Sequence, residues 1–285
     1  MNSIHMDLLE AQVRYVDHGV YRTRIIEAGT GPTLVLMHGG GGHAEAYSRN
    51  VKRLAQHFHV ICPDFIWHGL SSAPKFKDGN WCQQFTDQIL SLLDAMGIKK
   101  AHFEGESLGG WIAMDIGIRF PERAEKIILN TAWGMEMPGE QAHDLESLRV
   151  SSLNALRNPD RETIRKRMEW LMPLGGTTEE IIDVRLALWS KPQTRDALLE
   201  YYDHLFAPEC ANYLFRVDDL KKIKLPTLLL WTEKNPISGP DVAHAMAEVI
   251  PNSSVYVVAN AAHWPQWERP EEHDEVVTKF LTSKA

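Results

Sequence analysis

Short apolar runs recur through the first half of the chain and return near its end, each closing on glycine, proline or an acidic residue. They are "TLVLMHGG" (33–40), "HFHVICPD" (57–64), "AHFEGESLGG" (101–110), "KIILNTA" (126–132), "TLLLW" (227–231) and "SVYVVAN" (254–260). Amphipathic stretches lie between them; "WIAMDIGIRF" runs with helical period up to Pro121. Buried strands alternating with helices predict βαβ units and a mostly parallel sheet with helices on both faces. Between Trp133 and about residue 212 the period changes. "LESLRVSSLNALR", "RETIRKRMEWLM", "TEEIIDVRLALW" and "RDALLEYYDHLF" are all helical in spacing, with no strand among them. The pattern predicts an α/β core from residues 1–134 and 213–285, interrupted by a helical cap over 135–212, after the sixth core strand.

Composition narrows the class. A hydrophobic fraction of 44% over 285 residues suits a chain that buries a full core. A formal charge of −8 argues against nucleic acid or an anionic membrane as partner, while leaving room for a local cationic pocket. Three scattered cysteines, Cys62, Cys82 and Cys210, imply no disulfide framework. "MNSIHMDLLEAQVRYV" lacks the apolar run of a signal peptide, and no stretch has the length of a membrane span. A cytoplasmic setting is the expectation.

The chemistry concentrates at Gly105-Glu106-Ser107-Leu108-Gly109. A strand, G-x-S-x-G and then a helix make a nucleophile elbow, a turn so tight that the serine hydroxyl stands exposed at a helix N-terminus. "HGGGGH" (38–43) follows an apolar strand, and its glycines let backbone N–H groups approach a ligand. Gly40, with Gly41 beside it, and the N–H of Leu108 are the candidate oxyanion hole. No Lys-Ser/Thr pair follows, so a phosphate loop is excluded. His38 and His43 lack further ligands at metal spacing, so neither metal nor cofactor is expected. A serine hydroxyl needs a base. His263, in the short loop after "SVYVVAN", has the right order in the chain, serine first and histidine last.

These motifs resemble the α/β-hydrolases over essentially the whole chain. More narrowly, "HWPQWERP" (263–270) resembles the meta-cleavage product hydrolases, which cut a carbon–carbon bond in 2-hydroxy-6-oxo-hexa-2,4-dienoates from aromatic degradation. "GESLGGW" and "DFIWHGLSS" (64–72) are shared more broadly. The resemblance implies a small anionic substrate whose carboxylate is bound by Arg185, with Trp264 lining the same pocket, and a homo-oligomer. From spacing alone, Arg185 reads as a solvated or salt-bridged residue of an amphipathic helix.

Three positions depart from that family. Aligned on "LLLW", the triad aspartate falls on Asn235, which orients a histidine but brings no charge. Glu233, Asp241 and the more distant Glu136 remain alternatives, although Asp241 after Pro240 suits the start of a helix. Glu106 stands before the nucleophile in place of asparagine, as a proton-carrying group or as one turned away from the site. Tyr47 and Arg49 replace a tryptophan and a polar amide, and Arg49 is expected near the mouth, facing an anionic substrate. The leading expectation is carbon–carbon hydrolysis. An ester, lactone or amide hydrolase, a binding protein with a weakened triad, and a cofactor-free oxygenase are the alternatives.

Overall fold

The computed structural model describes residues 3–136 and 145–283. Eight strands form one sheet: β1 (Gln12–His18), β2 (Tyr21–Ala28), β3 (Thr33–Met37), β4 (His59–Pro63), β5 (Ala101–Glu106), β6 (Ala124–Asn130), β7 (Thr227–Thr232) and β8 (Ser253–Val258). Their order across the sheet is β1-β2-β4-β3-β5-β6-β7-β8, parallel from β4 to β8. β3 and β7 are apolar at nearly every position, and β5 is buried along its whole length, because helices cover both faces of a parallel sheet.

β1 and β2 form an antiparallel hairpin at the sheet's edge, turned over Gly19 at positive φ. The apolar runs did not predict them. β1 alternates exposed and covered positions, as a half-buried edge strand does, and contains no continuous apolar run.

Among the described residues four long helices lie between β6 and β7, Leu145–Arg157, Arg161–Leu171, Glu179–Trp189 and Pro192–Leu205, followed by the short turns Pro208–Tyr213 and Val217–Leu220. Asp160 and Thr178 cap the second and third, each accepting a backbone N–H of the first turn. The segments leading into and out of these helices are stitched together, Glu136 N donating to Phe215 O at 2.8 Å and Phe215 N to Gly134 O at 2.9 Å. The expected cap boundaries, 134/135 and 212/213, fall beside this bridge. Among the described residues no helix is long and apolar enough to cross a membrane.

Inside the core, Glu104 of β5 is fully buried. Its Oε1 lies 2.6 Å from Nε2 of His273, on the C-terminal helix Pro270–Thr282. The other ring nitrogen of His273 meets Asp274 Oδ1 at 2.9 Å. Arg53 and Asn50 close the network on Asp274 at 2.6 and 2.8 Å. Burial alone would lower the pKa of His273, but the charge of Glu104 and the ring's hydrogen bonds to both carboxylates prevail and raise it to about 10. The ring is therefore an imidazolium that fastens the last helix to the sheet.

Because the folded pKa lies above the ordinary value of 6.5, this contribution to stability is complete below about pH 6.5 and is lost as pH rises towards 10. Replacing His273 by glutamine leaves the buried Glu104 carboxylate without its countercharge, and we expect a loss of about 3–5 kcal/mol in urea unfolding at pH 7. The difference between wild type and His273→Gln should shrink when the same titrations are run at pH 9 and 10.

Candidate active site

The C-terminal ends of the parallel strands carry the candidate residues. β3 runs into the glycine loop, β5 into Ser107, β7 into the loop holding Asn235, and β8 into the loop holding His263. Ligands of open α/β sheets bind at this edge.

Ser107 sits between β5 and the helix Leu108–Arg119 with φ 51° and ψ −111°. A side chain at φ above zero is strained, and the surroundings hold it there. Ser107 N donates to Asn130 O at 3.0 Å, and Ser107 O accepts from Gly110 N at 2.8 Å and Trp133 N at 3.1 Å. A Cβ at Gly105 would collide with the carbonyl of Gly109, and one at Gly109 with the carbonyl of Met37. Glycine at both positions is what lets the helix turn back so sharply onto β3 and β5.

His263 is buried, and its loop is pinned on every side. The Glu268 carboxylate accepts from Ala262 N and Trp264 N, at 3.0 Å from its Oε1 in each case. His263 N donates to Leu171 O at 3.1 Å, at the end of an inserted helix. Thr131 Oγ1 donates to His263 O at 3.0 Å.

On the ring, Nδ1 lies 2.9 Å from Asn235 Oδ1. That oxygen also accepts from Ile237 N at 3.1 Å, which identifies it as the amide oxygen, so His263 Nδ1 is the donor. The other candidate acids are elsewhere. Glu233 is on the surface, paired with Lys234 and accepting from Asn260 N. Glu136 pairs with Arg216 in solvent, and Asp241 lies in the first turn of the helix Pro240–Val249. Only Asn235 reaches the imidazole from the Nδ1 side.

Glu106 does not turn away. It is buried, and its Oε1 is 3.0 Å from His263 Nε2, while Oε2 has no hydrogen-bond partner.

These groups face a cavity lined by Gly40, Glu106, Ser107, Leu108, His263 and Trp264 among others. The inserted helices close it with Arg167, Leu171, Tyr201 and Tyr202. Gly40 and Leu108, the candidate oxyanion-hole residues, both line it. Gly41 does not line the cavity: it turns at φ 69° and packs against Tyr202 and Trp189. His38 organises the same loop. Its Nδ1 donates to Gly39 O at 2.8 Å and its Nε2 accepts from Phe65 N at 3.2 Å. Burial holds His38 well below the ordinary histidine pKa, as it holds His68 down at about 4.

Arg185 is buried, and its Nε and Nη2 have no acceptor. Its guanidinium lies 5.2 Å from the Trp189 ring and 5.6 Å from that of Trp264, behind rather than among the lining residues. Burial, then the neighbouring Arg167, lowers its pKa to about 10, so it stays charged at neutral pH.

Arg49 corrects the expectation set for it. Its Nη1 donates to Trp267 O at 2.6 Å and its guanidinium stacks 3.9 Å over the Trp267 ring, away from the cavity.

Arg167 was not singled out. It is buried, gives Nε to Ser152 Oγ at 3.0 Å, and leaves Nη1 without an acceptor at the cavity wall. The signal was present: Ile164, Arg167, Met168 and Leu171 form the buried face of their helix at helical spacing.

The family profile described as alpha/beta hydrolase fold matches residues 32–270. The chain belongs to the alpha/beta hydrolase family. A 2-hydroxy-6-oxononadienedioate/2-hydroxy-6-oxononatrienedioate hydrolase of Burkholderia vietnamiensis is 30% identical to it over 279 residues, covering 94% of each chain. A 2-hydroxymuconate semialdehyde hydrolase of Pseudomonas putida is 26% identical, over 92% of this chain and 91% of its own. The fold of this alpha/beta hydrolase superposes on the 2-hydroxy-6-oxo-6-phenylhexa-2,4-dienoate hydrolase of a Rhodococcus species with a TM-score of 0.85. Identity there is 22%, over 96% of this chain and 99% of that one.

Glu268 can be tested by itself. In Glu268→Ala two loop N–H groups lose their acceptor, which costs about 1–3 kcal/mol. We expect a lower melting temperature together with a drop in kcat of about tenfold as the histidine loop loosens, since small misplacements of a catalytic group are costly. A melt shift with unchanged kcat would confine Glu268 to stability.

Proposed function

We propose that this hydrolase cleaves a carbon–carbon bond in an anionic 2-hydroxy-6-oxo-dienoate, without a cofactor. The observation that carries the reading is a pair of buried guanidiniums with unpartnered nitrogens, Arg167 on the wall of the cavity that Ser107 and His263 line and Arg185 behind Trp264. Buried charge of one sign calls for a ligand of the other, and guanidinium forks suit carboxylates. The relatives named as dienoate, dienedioate and semialdehyde hydrolases support the same chemistry.

In this reading Arg185 binds the carboxylate next to the 2-hydroxyl and the ketone lies over Ser107. His263 moves protons for ketonisation of the dienol. Ser107 Oγ then adds to the ketone carbon, and the Leu108 and Gly40 N–H groups take the oxyanion. The carbon–carbon bond breaks with the enol fragment as leaving group, and water releases the second acid from the serine. Water is the only other reactant consumed. Several relatives are named for dienedioates, which carry a second carboxylate, and Arg167 is the residue we assign to it.

Mixing the protein with 2-hydroxy-6-oxo-6-phenylhexa-2,4-dienoate should bleach the dienoate absorbance, and Ser107→Ala should slow this by about 10³-fold or more. Retained turnover in Ser107→Ala overturns the mechanism. Preference for simple aryl esters with no effect of a carboxylate would favour an ester hydrolase instead. Arg185→Met should raise KM for mono- and dicarboxylate substrates alike. Arg167→Met should raise it about tenfold or more for a nonadienedioate and leave the phenyl substrate nearly unchanged, as loss of one charged hydrogen bond predicts.

A further inference from the structure

The contact between Glu106 and His263 poses a chemical problem. His263 Nδ1 gives its hydrogen to Asn235, so in a neutral ring Nε2 carries the lone pair, and it lies 3.0 Å from a carboxylate oxygen. Two acceptors at that separation repel unless a proton lies between them. The glycine loop leaves room for the carboxylate: a Cβ on Gly39 would come within 2.5 Å of Glu106 Oε2 and 2.7 Å of Oε1. Its Oε2 is buried without a donor, as is Oε2 of Glu104, but Glu106 lines the cavity. Among the described residues Nε2 makes no hydrogen bond to Ser107 Oγ, and its 3.0 Å approach to Glu106 Oε1 is an ion-pair contact.

We propose that Glu106 and His263 hold one proton between them. Glu106 supplies, from the Nε2 side, the negative charge that Asn235 cannot supply from the Nδ1 side. The proposal rests on reading His263 as the base of the site, and it orders the reaction. With substrate bound as its dienolate, the held proton passes to the carbon adjoining the ketone. A C–H bond forms from the dienolate electron pair, and the pair is left as carboxylate and neutral imidazole. Nε2 is then free to accept the hydroxyl proton of Ser107 as Oγ adds to the ketone. The proton next goes to the departing enolate oxygen, and hydrolysis of the acyl-serine returns one to the pair. Glu106 is on this account a positioning and charge-bearing residue that acts through His263, and proton delivery precedes activation of the serine.

Two measurements test it. The first needs no substrate. In the wild type Glu106→Gln should leave the melting temperature unchanged or lower it; in a His263→Asn background the same change should raise it, because there it removes an unpaired buried carboxylate. Equal shifts in both backgrounds would overturn the pairing. The second is a single-turnover assay of dienolate absorbance. Glu106→Gln should slow the loss by about 10²-fold, the scale of general acid–base catalysis, with substrate binding little changed. Adding Asn235→Asp on the same chain should recover about tenfold or more, since charge on either side of the ring serves the imidazolium. An unimpaired Glu106→Gln, or a folded variant that Asn235→Asp does not rescue, sinks the idea. If the wild type bleaches no dienoate while the melting shifts differ in sign, the substrate assignment fails and the charge pair stands.

Discussion

Two carboxylates in the interior of one strand must be met by positive charge or by protons, and the rest of the molecule is arranged around that demand. Glu104 and Glu106 of β5 lie two residues apart, so they share a face of the sheet. Each meets a histidine from the C-terminal part of the chain, His273 at 2.6 Å and His263 at 3.0 Å. The two pairs differ in their surroundings. Around His273 both ring nitrogens face carboxylates and the partners are themselves hydrogen-bonded, which makes the contact a fastening. Each glutamate keeps one buried oxygen without a donor, but a cavity adjoins Glu106 and His263, which leaves that contact open to chemistry. Asn130 links the two, donating to Glu104 at 3.1 Å while its carbonyl accepts from Ser107 N.

The same principle explains the inserted helices. Surface arginines of these helices find acids: Arg161 and Arg165 reach Glu179 and Arg161 also reaches Asp183. Arg167 and Arg185 instead occupy the apolar faces of their helices, beside Ile164 and Met168 in one case and Ile181 and Ile182 in the other. A guanidinium without a carboxylate in a dry setting is expensive to keep. The folded chain keeps two within reach of Glu106, whose charge offsets part of that expense.

Much of this was legible in the chain. The parallel strands announce themselves as apolar runs, and the four inserted helices by their period. The elbow motif located Ser107, and chain order located His263. The β1–β2 hairpin escaped because an edge strand is only half apolar. Arg49 was misplaced because a residue number near the glycine loop says nothing of which way a side chain leaves its helix; it left towards Trp267. Glu106 was left open between two orientations, since only the register of β5 against the glycine loop decides it. Arg167 was hidden in a run of basic residues, although its spacing from Ile164 and Leu171 marks the buried face. The support given by Glu268 and Thr131 depends on how three loops meet, which no local pattern encodes.

The hydrogen bond from His263 N to Leu171 O crosses from the sheet's last loop to the inserted helices. Chimaeras that exchange such helices between relatives, to import a new substrate range, would also exchange the strut beneath the histidine. A graft that kept the cavity lining but shifted the carbonyl at 171 would inherit the new pocket with a misaligned base. The length of the second inserted helix is therefore a constraint on how freely this architecture can be recombined.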